Sequence, residues 1–328
     1  MSKIINWGIM GCGKIAHSFA KGLSVLPEAT LYAAGSRTKE KAVSFGQKYN
    51  ILKTYGSYDE LATDPHIDII YIATPHNYHK ENTLLCLRNY KAVLCEKPMC
   101  INAKEAEELI KEARKNQLFL MEAMWMRFLP VMFKVREWLN EKIIGDIRIL
   151  KADFGFRFSW EPQKRILNIN LAGGALLDVG IYTLSLAYMV FKNEPVKITS
   201  TAYIGKTGVD EQSAYLLSYG NGAFASLTSA VRTKTPHDAI IIGTKGSIVI
   251  PDFWHGQMAI LHIKDKAPSE FKFPFVSNGY NYEAQYTMDC LKKNKLESDI
   301  MPLNETLLII KTMDEIRSQW KLIYPEEK

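Results

Sequence analysis

The chain has 328 residues, 47% of them hydrophobic and 23% charged, with a formal net charge of +6. That length exceeds what one hydrophobic core usually organises and suits two domains, and the composition excludes a disordered or fibrous protein. Lys and Arg are scattered rather than gathered into a stripe with interleaved aromatics, which argues against a nucleic-acid partner, and no uninterrupted apolar run of about 18 residues is read that would span a membrane.

The first third alternates short apolar runs with helical patterns, the mark of βαβ units and a parallel sheet. Strands are expected at Ile4–Met10, Thr30–Gly35, Ile67–Ala73, Ala92–Cys95 and Leu118–Met121. Helices are expected at Ile15–Leu23, Lys39–Tyr49, His79–Asn89 and Ala103–Asn116, and Ser57–Glu60 has the S-x-x-E form of a capping box. After about residue 122 the texture changes. A helix at Pro130–Glu141 precedes longer β-type stretches at Ile147–Phe158, Val196–Ile204, Ser213–Tyr219, Ala223–Val231, Ala239–Ile242, Ser247–Ile250 and Met258–Ile263. The Tyr219-Gly-Asn-Gly222 stretch is a hairpin signal. Further helices are expected at Gly174–Phe191, Tyr282–Asn294 and Asn304–Trp320. The reading is α/β: a Rossmann doubly wound parallel sheet over residues 1–122, then an α+β domain with a large open, mostly antiparallel sheet over 123–328, its last helix free to pack on the first domain.

Gly11-Cys-Gly13-Lys-Ile-Ala16 is G-x-G-x-x-A between a strand and a helix. The first glycine permits the tight turn, the second lets backbone approach a pyrophosphate, and Ala16 permits close helix–strand packing. The helix end then offers free N–H groups to the phosphates. At the end of the second strand, where a carboxylate would bind the ribose of NAD, the chain has Ser36, Arg37 and Thr38. A guanidinium there pairs with a phosphate, so NADP is expected over NAD.

Glu96-Lys97-Pro98 follows the Ala92–Cys95 strand, at the strand end where open α/β sheets bind ligands. An ammonium there polarises a hydroxyl or carbonyl oxygen. In Gly173-Gly-Ala-Leu-Leu-Asp178-Val-Gly-Ile-Tyr182, Asp178 and Tyr182 are i, i+4 neighbours on one helix face among apolar residues, so both need partners.

These motifs together resemble the glucose–fructose oxidoreductase / inositol dehydrogenase / MocA family, with Thr74-Pro75-His-Asn-Tyr-His79 as a further match, and the resemblance runs from Ile5 to the last helix. Met124-Trp-Met-Arg-Phe-Leu-Pro130 and Gly173–Tyr182 look most like its dimeric dihydrodiol dehydrogenase and D-xylose 1-dehydrogenase branch. Many relatives carry His where this chain has Tyr182, which makes an inositol- or glucose–fructose-type activity the weaker expectation. The resemblance implies that Gly11, Cys12, Gly13, Lys14 and Ile15 cradle the pyrophosphate and that Ser36, Arg37 and Thr38 meet the 2′-phosphate. It implies a nicotinamide side lined by Thr74, Pro75, His76, Asn77, His79, Glu96 and Lys97, and a pocket walled by Trp125, Arg127 and Phe154. It further implies Tyr182 as the acid–base aided by Lys97, with Asp178 orienting, and a homodimer made sheet to sheet. A free phenol titrates near 10, so a tyrosine base needs roughly 3–4 kcal/mol from nearby cations to work at neutrality. Which of Lys97 and Tyr182 holds the transferred proton stays open.

The five cysteines, Cys12, Cys86, Cys95, Cys100 and Cys290, are odd in number and form no CxxC pair. Reduced thiols in a cytoplasmic protein are expected, and the strand pattern begins too early to leave room for a signal peptide. His76 and His79 lack a third plausible ligand, so no metal is expected. The substrate expected is a small sugar, cyclic polyol or dihydrodiol. A reductase of dicarbonyls or keto-sugars and a catalytically silent nucleotide sensor are the alternatives.

Overall fold

The computed structural model describes residues 3–327. In chain order its first elements are β1 (Ile5–Met10), α1 (Lys14–Leu23), β2 (Ala29–Gly35), α2 (Lys39–Tyr49), β3 (Lys53–Tyr55), α3 (Tyr58–Thr63), β4 (Ile69–Ile72), α4 (His79–Arg88), β5 (Ala92–Glu96), α5 (Ala103–Lys115) and β6 (Leu120–Ala123). There follow α6 (Pro130–Asn140), β7 (Ile147–Gly155), α7 (Ile181–Phe191), β8 (Lys197–Ile204), β9 (Asp210–Ser218), β10 (Phe224–Ala230), β11 (Ala239–Gly243), β12 (Gly246–Ile250), β13 (Met258–Ile263), β14 (Ser269–Lys272), α8 (Tyr280–Lys292) and α9 (Leu303–Trp320).

The chain forms two compact units. One holds the chain up to Trp125 together with Val276–Leu307, and the other holds Met126–Phe275 and the chain from Leu308 onward. The sequence reading places α8 in the second domain; it belongs to the first. Gly22 explains how: a Cβ there would lie 2.8 Å from Cβ of Tyr280 and 2.9 Å from the Asn281 nitrogen, so α1 and α8 approach almost backbone to backbone. Asn278 donates to the Ser18 carbonyl at 2.8 Å beside that contact. The first turn of α9 lies in the first unit, and the rest of that helix in the second.

The first unit contains a six-stranded sheet of order β3-β2-β1-β4-β5-β6, parallel throughout. Its register is decisive for function. Gly35, Met10, Ile72, Cys95 and Glu122 form one row across the strands. Parallel strands end on the same edge, so Ser36, Gly11, Ala73, Glu96 and Ala123 line up in the next row. β1, β4 and β5 are near-continuous apolar runs because both faces are covered. The Ser57–Glu60 box forms: Ser57 Oγ accepts from the Glu60 nitrogen at 3.2 Å, while Glu60 reaches back to the Gly56 nitrogen, also at 3.2 Å.

The second unit contains an eight-stranded sheet of order β14-β13-β12-β11-β7-β10-β9-β8, antiparallel except where β10 runs parallel to β7. The Tyr219–Gly222 turn joins β9 to β10, with Gly222 at φ +78°. The expected strand Ile147–Phe158 ends at Gly155, although Phe156 and Phe158 still donate to the Ala230 and Val231 carbonyls. The helix expected over Gly174–Phe191 is a π-helical turn, Leu176–Gly180, leading into α7. By length and composition alone Ile169–Phe191 holds a window apolar enough to cross a membrane, although Asp178 interrupts the apolar run. Of that window 94% is buried inside the protein, where α7 packs on β7 and β10 as core.

Candidate active site

Each strand end of the first unit delivers a polar group. After β1, Gly11 adopts φ +96°, and a Cβ there would sit 3.0 Å from the Ala73 carbonyl, so only glycine makes this turn without strain. Gly13 has open space around it and is exposed. It begins α1 with no side-chain cap and no acidic residue in the first turn. The N–H groups there are left for an external anion, which is the fit a pyrophosphate requires. Lys14 is exposed at the same end, and Ile15 is half-buried behind it. Burial pushes the Cys12 thiol up to about 11, so it stays neutral beside an anion; its Sγ leans on the Gly35 carbonyl at 3.7 Å.

After β2, Ser36 is buried and Arg37 and Thr38 are exposed. The Arg37 guanidinium carbon stands 5.5 Å from the centre of the Tyr78 ring, a cation–π contact that holds a free cation where β2 ends. Tyr78 was not singled out from sequence, since nothing local ties it to Arg37.

After β4, Thr74 Oγ1 accepts from Asn82 at 3.0 Å, Pro75 and Asn77 are half-buried, and His76 is buried. His79 is the most constrained residue of this stretch. It is fully buried, with Nδ1 2.7 Å from the Pro98 carbonyl and Nε2 2.8 Å from the Thr74 carbonyl. Both ring nitrogens are engaged in tying the β4 and β5 loops together.

After β5 comes Lys97, half-buried, its backbone N–H directed at Oε2 of Glu96 at 3.2 Å. The other Glu96 oxygen accepts a short hydrogen bond from the Tyr71 hydroxyl. Burial first, and then the Glu96 charge, hold the Tyr71 phenol well above its usual range, so it remains a donor. After β6, Glu122 accepts from the Met99 nitrogen at 2.8 Å and from the Thr306 hydroxyl at 3.3 Å. Glu283 of α8 is fully buried, and burial and the charge of Glu96 keep its carboxyl well above the usual range. Three buried carboxyl groups, Glu96, Glu122 and Glu283, thus act on one another here, and only Glu96 was anticipated. A glutamate closing the apolar run Leu120-Met-Glu-Ala was the available signal for Glu122.

Trp125 is 1% exposed and stacks on Tyr280, ring centres 4.6 Å apart. Arg127, equally buried, donates to the Ser185 carbonyl of α7 at 2.8 Å. Trp125 was expected to wall the pocket and Arg127 to wall it or meet the cofactor; both lie within the packed interior, as do Phe154 and Tyr182.

In the second unit the π-turn carries Asp178, and α7 carries Tyr182 in its first turn. Such turns insert one residue into a helix and recur at functional sites. Arg165, not noted in the sequence, donates to Asp178 Oδ1 at 2.7 Å. The turn lies against the sheet because Gly180 is bare: a Cβ would meet the Tyr215 hydroxyl at 2.4 Å. Tyr182 presents its ring to Phe154 edge-on at 5.3 Å, and Phe154 stacks on Trp254 at 4.8 Å, 16° from parallel. His237 closes on Phe154 at 5.2 Å. The phenol therefore borders an aromatic wall drawn from three separate stretches of chain, of which only Phe154 was read in advance. Among the described residues no cluster of His, Cys, Asp and Glu is arranged to hold a metal, and all five cysteines are free.

A Gly-x-Gly turn feeding an uncapped helix at the carboxyl edge of a parallel sheet defines a dinucleotide-binding domain. Comparison with known proteins agrees. Residues 5–124 match the oxidoreductase family with an NAD-binding Rossmann fold, and residues 132–249 match the GFO/IDH/MocA C-terminal domain. The chain is 41% identical to trans-1,2-dihydrobenzene-1,2-diol dehydrogenase of Mus musculus over 99% of both chains. It is 42% identical to that of Xenopus tropicalis, over 97% of this chain and 99% of the other. Among solved structures, an aldose-aldose oxidoreductase from Caulobacter crescentus superposes with a TM-score of 0.89 at 24% identity, over 97% of this chain and 98% of that one. A 3-ketoreductase from Actinomadura kijaniata in complex with NADP and TDP-benzene gives 0.87 at 22%, over 96% and 98%. The chain belongs to the Gfo/Idh/MocA oxidoreductase family and is a dehydrogenase/reductase acting on CH–OH groups.

Glu122 generates a prediction. Burial pushes its carboxyl up to about 7, against the Met99 and Thr306 hydrogen bonds and the charge of Lys97. The folded protein then holds a proton that the unfolded chain releases. The associated stability is full below the unfolded value and is lost as pH rises from about 4.5 to about 7. Glu122→Gln is expected to flatten this decline, a difference on the order of 2–3 kcal/mol across the window. Urea unfolding at a series of pH values checks it. Parallel pH profiles for parent and variant would show that Glu122 folds in its ionised form.

Proposed function

We propose that the protein is an NADP-dependent oxidoreductase that moves a hydride between the nicotinamide and a hydroxyl- or carbonyl-bearing carbon of a dihydrodiol, sugar or cyclic polyol, dihydrodiols foremost. The observation that carries the reading is the Tyr182 phenol set against the Phe154–Trp254 stack. A flat, largely apolar ring gains from such a wall, and a hydroxyl on it meets a phenol able to exchange the proton. Similarity to named dihydrodiol dehydrogenases over the whole chain supports the same substrate class.

Gly11, Cys12, Gly13, Lys14 and Ile15 would hold the pyrophosphate, Ser36, Arg37 and Thr38 the 2′-phosphate, and Thr74, Pro75, His76 and Asn77 the nicotinamide side. The bound nicotinamide supplies the hydride chemistry. The chain handles the proton: Tyr182 takes it from the substrate hydroxyl in oxidation and returns it in reduction. The Lys97 ammonium favours the phenolate and polarises the substrate oxygen. Asp178, fixed by Arg165, orients the reacting hydroxyl. We further infer a homodimer through the open face of the eight-stranded sheet, where Tyr203 and Leu216 are exposed on β8 and β9.

An NADP-linked spectrophotometric screen of dihydrodiols, aldoses, inositols and α-dicarbonyls is expected to find turnover. With the responding substrate, Lys97→Ala and Tyr182→Phe should each lower turnover at least about a hundredfold while NADPH fluorescence titrations barely change. Full activity in Tyr182→Phe would overturn the acid–base assignment, and NADPH binding without any turnover would make the protein a sensor. Arg37→Ala should weaken NADPH by about tenfold or more and leave NADH nearly unaffected; equal losses argue against a 2′-phosphate contact. Sedimentation at micromolar concentration should give twice the chain mass, and a monomer would remove the sheet-to-sheet proposal.

A further inference from the structure

The turn that starts the Asp178–Tyr182 helix is held from three directions. From the preceding loop, Ile166 and Asn168 carbonyls accept from the Gly174 and Gly173 nitrogens at 2.9 and 3.1 Å. From β9, Asp210 Oδ2 accepts from the Leu176 nitrogen at 2.7 Å and occupies the place of an N-terminal cap. From the segment beyond α9, the Tyr324 hydroxyl donates to the Gly173 carbonyl at 2.7 Å, across 151 positions of sequence. The turn itself has no slack. A Cβ on Gly173 would lie 2.4 Å from the Arg165 carbonyl, and one on Gly174, at φ +116°, would lie 2.2 Å from Asp210 Oδ1.

Tyr324 is held as firmly as the turn it grips. Its ring is fully buried, with the Arg317 guanidinium 5.0 Å from its centre. Arg317 is 4% exposed and clasps both Glu327 oxygens at 2.6 and 2.8 Å. Glu327 also accepts from the Tyr324 nitrogen at 2.9 Å. An arginine fork closing on a carboxylate fixes the segment in one geometry. The same loop that receives the turn bears Arg165, the partner of Asp178. A shift at Gly173 therefore moves both the helix start and the group that aims Asp178.

We propose that Tyr324 is a positioning residue, locked by the Arg317–Glu327 pair, that pins the Gly173–Gly174 turn and thereby sets the aim of Asp178 and Tyr182. The proposal rests on the functional reading of Tyr182 given above. It assigns to the segment beyond α9 a part in turnover, exerted through the Tyr324–Gly173 hydrogen bond. Small errors in the placement of an acid–base group are felt in turnover rather than in nucleotide affinity, because the phosphate loop lies on other elements.

The test uses the full chain with two variants, Tyr324→Phe and Glu327→Gln. Tyr324→Phe keeps the ring and removes one hydrogen bond, so kcat for trans-1,2-dihydrobenzene-1,2-diol with NADP is expected to fall roughly five- to tenfold. KM for the diol and the NADPH dissociation constant should stay within about twofold. Glu327→Gln should give a smaller loss in the same direction. Amide hydrogen exchange over residues 174–182 should quicken in both variants. Unchanged exchange there overturns the pinning itself, whatever Tyr182 does. Quickened exchange with unchanged kcat overturns the positioning role. Full activity of Tyr182→Phe, measured alongside, strikes the functional reading instead and leaves the exchange result standing as evidence for the pin.

Discussion

Six parallel strands must end on one edge, and that constraint organises the nucleotide-binding unit. The row Gly35–Met10–Ile72–Cys95–Glu122 brings the residues that follow it into a line. Residues far apart in sequence, Gly11, Ser36, Thr74 and Lys97, thus become neighbours of one another along the carboxyl edge. An uncapped α1 supplies the positive end of a helix at the middle of that line. Every residue assigned to the cofactor in the functional reading follows β1, β2, β4 or β5.

The edge also concentrates charge that the fold must tolerate. Glu96, Glu122 and Glu283 are all buried, and the charge of Glu96 acts on the other two. Tyr71 and the Lys97 nitrogen satisfy Glu96, and Met99 and Thr306 satisfy Glu122. Buried carboxyl groups lose hydration, and Glu122 and Glu283 are pushed upward, chiefly by burial. Functional strand ends commonly carry such perturbed groups, because chemistry needs protons that move near neutrality.

In the second unit the organising feature is close approach permitted by glycine. Gly173, Gly174 and Gly180 each stand where a Cβ would strike a neighbour, so the π-turn sits directly on β9 and its loop. Tyr182 then meets Phe154 of β7, and Phe154 meets Trp254 from beyond β12. The aromatic wall is a product of sheet order: β7 is central, between β11 and β10, and gathers residues from both sides.

The sequence alone determined what local physics controls. Gly11–Gly13 before a helix, Arg37 at a strand end, the Ser57–Glu60 box, the 219–222 hairpin and the βαβ alternation all depend on residues a few positions apart. The tertiary structure decided what depends on distant partners. β3 and β14 are three and four residues long, too short for alternation to show, and exist only because β2 and β13 pair with them. His79, Trp125 and Arg127 matched motifs, and only the fold showed the partners their buried side chains take. Arg165, Asp210, Trp254 and Tyr324 gained their importance from contacts across the chain. A motif specifies which atoms are available; packing specifies which of them remain accessible, because each buried polar group must first find its partner.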